Sequence, residues 1–163
     1  MNDMRVVKLE AGDLPVFKAI RMESLKMAPS AFASTFADWS SLSDEEWLDR
    51  MKTPVFSMLK GDEPIGIMGL MPQRGENRSH RATIIMVYLR ESERGAGLAD
   101  ELLKAVMDFA KEDGVRQLEL NVNHTNARAI RFYVRHGFER VGKIPAALID
   151  EGQEVDELIM VHR

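Results

Sequence analysis

The apolar positions of this chain change period several times, and each change marks an element. "MRVVKLEAGD" alternates over Met4–Leu9 and predicts a short strand followed by a turn. Asp13 then stands as an N-cap, with Pro15 tolerated in the first turn, for a helix reaching about Ala28. Phe17, Ile20, Ser24 and Leu25 share one face of it, and Pro29 ends it. "SDEE" at Ser43–Glu46 has the spacing of a capping box, followed by Trp47, Leu48 and Met51 as apolar positions. Trp47 is assigned to the core, and Thr53-Pro54 stops that helix.

Next come "VFSML" and "IGIMGLM", joined by "KGDEP", which predict a β-hairpin. A polar loop, Gln73–Ser79, leads into "ATIIMVYL", whose unbroken apolar run suits a central strand. Leu98, Leu102, Val106 and Ala110 recur at helical spacing from Gly97 to near Gly114. "QLELNVN" alternates as a strand. "NARAIRFYVRHG" makes a short helix closing at Gly137, and two final strands turn around Asp150-Glu151-Gly152. The order β-α-α-β-β-β-α-β-α-β-β predicts one mixed α/β domain over residues 1–163, and its central strand–helix–strand unit implies a parallel pair.

Composition narrows the chemistry. The 163 residues are 45% hydrophobic and 29% charged, which suits one substantial core. Without cysteine there is no disulfide, thiolate nucleophile or acyl-cysteine intermediate. His80, His124, His136 and His162 are scattered, so no metal is expected. A net charge of -4 without a lysine–arginine block argues against a nucleic-acid partner. The chain shows no signal-peptide pattern and no 18-residue apolar run, so a cytoplasmic protein without a membrane partner is expected.

One stretch carries specific chemistry. "RGAGLA", Arg94–Ala99, joins the central strand to the following helix, where backbone N–H groups and the helix dipole favour an anion. Glycines there keep Cβ atoms out of the anion's way. A Walker loop is excluded because no Gly-Lys-Ser/Thr opens the helix, and a dinucleotide fingerprint fails because Asp100 falls at the third glycine position. Downstream, "NARAIRFYVRHGFERVG" sets an Asn, Ala-Ile, Tyr and Gly-Phe at fixed spacing.

Together these motifs resemble the GNAT superfamily of acyl-CoA N-acyltransferases, whose signature Arg/Gln-x-x-Gly-x-Gly/Ala lies between a strand and a helix. The resemblance spans roughly Met4 to His162, with Ile84–Gly142 its specific part. It implies a mostly antiparallel sheet with one splayed parallel strand pair, flanked by helices. It also implies acetyl-CoA as co-substrate, held by Val87, Tyr88, Leu89, Arg94, Gly95, Ala96, Gly97, Leu98, Ala99, Asn126 and Tyr133. Glu91 replaces a proline frequent in the family, and Glu93 adds a second carboxylate; both disfavour an anion unless they face solvent or pair with Arg90.

By the same resemblance Tyr133 donates a proton to the coenzyme A sulfur, its phenol of pKa ~10 being protonated at neutral pH; it also fits a core position. Asn126 contacts the cofactor arm, caps a helix, or both. No glutamate lies on the central strand. Glu119 shares parity with Asn121 on the next strand and serves as base if that face meets the cleft, or is simply solvated. Arg21, Glu23, Phe32, Phe36 and Trp39 mark the acceptor wall: an aromatic loop with a glutamate can hold an ammonium, or the aromatics only pack the loop. The expectation is acetyl transfer to a primary amine of a small molecule by direct attack. The alternatives are a protein or peptide acceptor, or a non-catalytic acyl-CoA sensor; a homodimer fits the family.

Overall fold

The computed structural model describes residues 3–163, so Met1 and Asn2 of the expected single domain lie outside the described residues. The elements follow in chain order: β1 (Met4–Lys8), α1 (Leu14–Met27), α2 (Phe36–Ser40), α3 (Asp44–Arg50), β2 (Val55–Lys60) and β3 (Glu63–Pro72). Then come β4 (Arg81–Leu89), α4 (Leu98–Glu112), β5 (Gln117–Asn123), α5 (Ala127–Arg135), β6 (Glu139–Asp150) and β7 (Gln153–His162). The seven strands form one sheet in the order β1-β2-β3-β4-β5-β7-β6. Only β4 and β5 are parallel neighbours.

Local chemistry accounts for most boundaries. Ser43 and Glu46 form the reciprocal capping box that starts α3. Asp13 holds the N-cap position of α1, but its carboxylate accepts from the Glu10 N–H at 2.8 Å instead of capping its own helix. Phe36 and Trp39, expected in a loop, lie on the five-residue α2, started by a second box between Thr35 and Asp38. The β6–β7 turn has Glu151 and Gly152 both at positive φ, the twist that a two-residue hairpin requires.

Two cores sit on opposite faces of the sheet. Leu102, Leu103, Val106, Leu118, Leu120, Phe138 and Met160 fill the α4–α5 side. Phe17, Ile20, Leu25, Trp39, Trp47, Ile67 and Tyr88 fill the α1–α3 side. Among the described residues no helix is long and apolar enough to cross a membrane.

The feature that positions the site is a break in the middle of the sheet. β4 and β5 pair only from Arg81/Gln117 to Thr83/Glu119. Beyond that the strands part, and Val87 lies about 13 Å further along β4 at ~3.3 Å per residue. Met86 has φ 55, and the β3–β4 register slips between Ile67 and Gly69. A bulge of this kind bends its strand. Gly69 makes room for it: a Cβ there would come within 2.6 Å of the Met86 side chain and 2.9 Å of Ile85.

Candidate active site

Where the strands part, a cavity of about 1390 Å³ opens. Its floor is the end of β4. The Arg90 N–H donates across to Ile65 at 2.8 Å, so strand alternation turns the backbone groups of Val87 and Leu89 away from β3, into the gap. One of these is taken: Arg94 Nε donates to the Leu89 carbonyl at 2.9 Å, so the arginine braces the turn onto the strand. Gly95 (φ 90) and Gly97 (φ 80) then turn the chain into α4. A Cβ on Gly95 would meet no protein atom within 4 Å, so the turn is open toward the cavity.

Val87, Tyr88, Leu89, Arg94, Gly95, Gly97, Leu98, Ala99, Asn126 and Tyr133 all line this cavity, while Ala96 stands off its wall. Asn126 caps α5 by accepting from the Ala129 N–H at 3.2 Å, so one residue both starts the helix and faces the cavity. Tyr133 is buried against Phe132 and Phe138, yet reaches the wall. Burial pushes its phenol well above the ordinary value, and among the described residues its hydroxyl has no hydrogen-bond partner. It therefore remains a neutral donor across the whole working pH range.

Glu91 is exposed at the cavity's edge with no ion pair among the described residues, whereas other carboxylates nearby are engaged. Glu93 pairs with Lys60 at 2.9 Å, while Arg90 engages Glu23 and Glu63. Asp100 in the first turn of α4 accepts from Arg135 at 2.7 Å and His136 at 2.5 Å. Burial opposes its ionisation, but these two partners hold the carboxyl below its ordinary value. Among the cavity residues not anticipated are three arginines of α5: Arg128, Arg131 and Arg135. Arg128 and Arg131 have no carboxylate partner among the described residues. Their i, i+3, i+7 spacing in "ARAIRFYVR" is the signal that points to one helix face.

The acceptor side departs from expectation. Met27, Ala28, Ser30 and Ala31 line the cavity there, whereas Arg21, Glu23, Phe32, Phe36 and Trp39 do not. Trp39 is 6% exposed and packs against Phe17 and Trp47, while Phe36 is 45% exposed. The aromatic cage exists, but its cation is internal. The Arg21 guanidinium lies 4.7 Å from the Phe32 ring centre and 4.5 Å from that of Trp39. Burial, helped by Arg50, lowers the Arg21 pKa to about 10. Glu23 accepts from the Tyr88 hydroxyl at 3.0 Å and from Arg90 at 2.7 Å, so it braces β4 from behind. Burial and that bond push the Tyr88 phenol up to about 12.

Glu119 is likewise not placed for proton transfer. It sits at the last paired position of β5, opposite Thr83, before the strands part. Both its oxygens bind Arg81, and Gln117 donates to it at 3.0 Å. The Arg81 hydrogen bond holds the carboxyl below its ordinary value, the reverse of what a base working near neutrality needs.

A sheet parted beside a glycine turn at a helix N-terminus, with a phenol on the far wall, leaves room for an extended ligand. Comparison with known proteins identifies the class. The family model described as the acetyltransferase (GNAT) family matches residues 22–138, and the chain belongs to that family. It is 26% identical over 137 residues to the L-methionine sulfoximine/L-methionine sulfone acetyltransferase of Pseudomonas aeruginosa, covering 82% of this chain and 78% of that one. It is 27% identical over 134 residues to the mycothiol acetyltransferase of Brachybacterium faecium, covering 82% of this chain but only 40% of that longer protein. The fold matches a Salmonella typhimurium protein solved with its cofactor acetyl-CoA, at TM-score 0.83 and 18% identity over 99% of this chain and 94% of that one.

Proposed function

We propose that this protein moves an acetyl group from acetyl-CoA to the primary amine of a small molecule. The observation that carries the reading is the parted β4–β5 pair. One cavity there unites the Arg94–Ala99 turn, the inward backbone of Val87 and Leu89, and the Tyr133 hydroxyl. The donor set fits coenzyme A: open glycines at a helix N-terminus suit a pyrophosphate, and Arg128 and Arg131 supply unpaired cations for further phosphate. When bound, acetyl-CoA supplies an activated thioester carbonyl.

The chain's own groups do the rest. The free N–H of Leu89 and the inward backbone of Val87 receive the arm as a strand receives a neighbour. A preorganised N–H aimed at the carbonyl oxygen lowers the barrier by ~3 kcal/mol. Tyr133 delivers a proton to the departing sulfur. With no cysteine in the chain, the amine attacks directly. The two named relatives are acetyltransferases of small molecules, which favours a small acceptor over a protein. An acceptor amine of pKa ~10 must lose a proton, so the rate rises from about pH 6 to 9. The test is thiol release from acetyl-CoA across amino acids and their sulfones, polyamines, aminoglycosides and short peptides. Turnover with one small-amine class is expected; turnover with peptides alone, or acetyl-CoA binding with silence across the panel, refutes it.

A further inference from the structure

The reaction proposed above leaves one proton without a destination, and beside the parted strands a half-buried carboxylate, Glu157, has no side-chain partner among the described residues. Glu119 and Glu23 are both committed to arginines. Glu157 is not. In the middle of β7 it stands opposite Asn123 in the β5–β7 register, so the two side chains leave the same face with Cβ atoms ~5 Å apart. Asn123 lines the cavity and reaches the Ser30 carbonyl on the acceptor wall at 3.4 Å. The next residue, Leu158, points the other way into the α4–α5 core. Glu157 therefore stands at the parted end of the sheet, beside the lining residue Asn123 but one position behind the cavity wall itself.

Its surroundings are uncharged. Asn121 and Asn123 share its face from β5, Ile144 from β6, Val155 and Ile159 from β7, and Ser30 lies across from Asn123. Glu119 shares the face but lies four residues down β5 from Asn123, neutralised by Arg81. The nearby charges belong to the opposite face, where Asp156 accepts from the Ala146 N–H at 2.8 Å and from Lys143 at 3.4 Å, with His124 beyond. Among the described residues Glu157 has no hydrogen bond and no ion pair. Burial alone raises its carboxyl above the ordinary value, toward the range of a base that works near neutral pH.

We propose that Glu157 accepts the proton that the acceptor's ammonium loses before attack, directly or through one water. This rests on the acetyl-transfer reading above. The proton balance closes. One N–H proton goes to the Glu157 carboxylate and on to solvent. The nitrogen's lone pair forms the C–N bond as the C–S bond breaks, and the Tyr133 phenol protonates the sulfur. Of the two protons then left on nitrogen, one leaves to restore the phenol and the other stays as the amide N–H.

The test compares wild type, Glu157→Gln and Glu157→Asp with two acceptors of one shape. One is the best alkylamine of the panel; the other is the matching alkoxyamine, unprotonated at neutral pH. For Glu157→Gln we expect kcat/KM with the alkylamine to fall ~100-fold, the scale of a lost general base, with its acid limb abolished. The alkoxyamine loses far less, Glu157→Asp recovers part of the rate, and acetyl-CoA affinity and Tm stay unchanged. An unaltered pH profile, equal losses with both acceptors, or a change confined to KM overturns the assignment. One measurement needs no acceptor: carbon-13 titration of the Glu157 carboxyl in the coenzyme A complex. An ordinary value overturns the assignment. A raised value sustains it even where silence across the amine panel has removed the small-molecule reading.

Discussion

The two sides of the cavity place their cations differently, exposed on one and buried on the other. On the cofactor side Arg128 and Arg131 face the cavity without a carboxylate partner, while Arg94 is tied to the Leu89 carbonyl. On the acceptor side Arg21 has withdrawn from the cavity into an aromatic sandwich, 3% exposed, with its Nε unpartnered. The first side keeps charge available for a ligand. The second spends its charge inside the protein, and the cation–π contacts with Phe32 and Trp39 replace solvent. An arginine beside a site is thus not by itself a ligand contact; what decides is whether another part of the chain has already answered it.

Three variants sharpen that contrast. Tyr133→Phe removes a donor from the cofactor side and leaves its ring packing intact, so kcat should fall ~100-fold or more. Acetyl-CoA affinity and Tm should hold; stopped-flow turnover beside calorimetric binding checks both, and a matching loss of affinity would make Tyr133 a structural tyrosine. Trp39→Ala on the other side should act in the opposite currency. It removes a core ring and one wall of the Arg21 cage, so denaturant unfolding should show a loss of about 3–5 kcal/mol. A stable variant with a raised acceptor KM would instead return Trp39 to the substrate wall. The smallest effect is expected from Arg128→Ala with Arg131→Ala, which should weaken coenzyme A binding ~10-fold and flatten its salt dependence. Unchanged affinity in a titration from low to high salt would show that these cations face solvent only.

How much of this was legible beforehand follows the same division. The Arg94–Ala99 turn, the Asn126 cap and Tyr133 lie within short, contiguous stretches whose geometry is set by glycine φ, helix capping and helical period, so the motifs could be read locally. The fold followed for the same reason, since strand and helix periods are local properties. α2 escaped although Thr35 and Asp38 carry capping-box spacing, because five residues are too few to show a period. Phe32, Phe36 and Trp39 were read as aromatics that either hold an ammonium or pack the loop, and nothing local distinguishes a cage awaiting an ammonium from one already filled by the protein's own arginine. Glu119 failed on a matter of distance along a strand. Parity put it on the right face, yet only the register with Arg81 and Thr83 shows that the sheet has not yet opened there. Glu157 was hidden for a related reason, since its position depends on which residue of β5 it faces.

The short β4–β5 ladder has one more consequence. A sheet normally has two borders, and this one has four, because the inner margins of β4 and β5 are also unmatched beyond Thr83 and Glu119. Exposed strand margins invite stray chains to add themselves. Here the inner pair is recessed between α4–α5 and the α1–α2 turn, so only a slender occupant can enter. Whatever enters and bonds to both margins closes the seam and holds the two halves of the molecule together. A ligand at 100 times its Kd adds about 2.7 kcal/mol to the folded state, so a molecule bound in this seam would also act as a clasp, and the protein's durability would be tied to its supply.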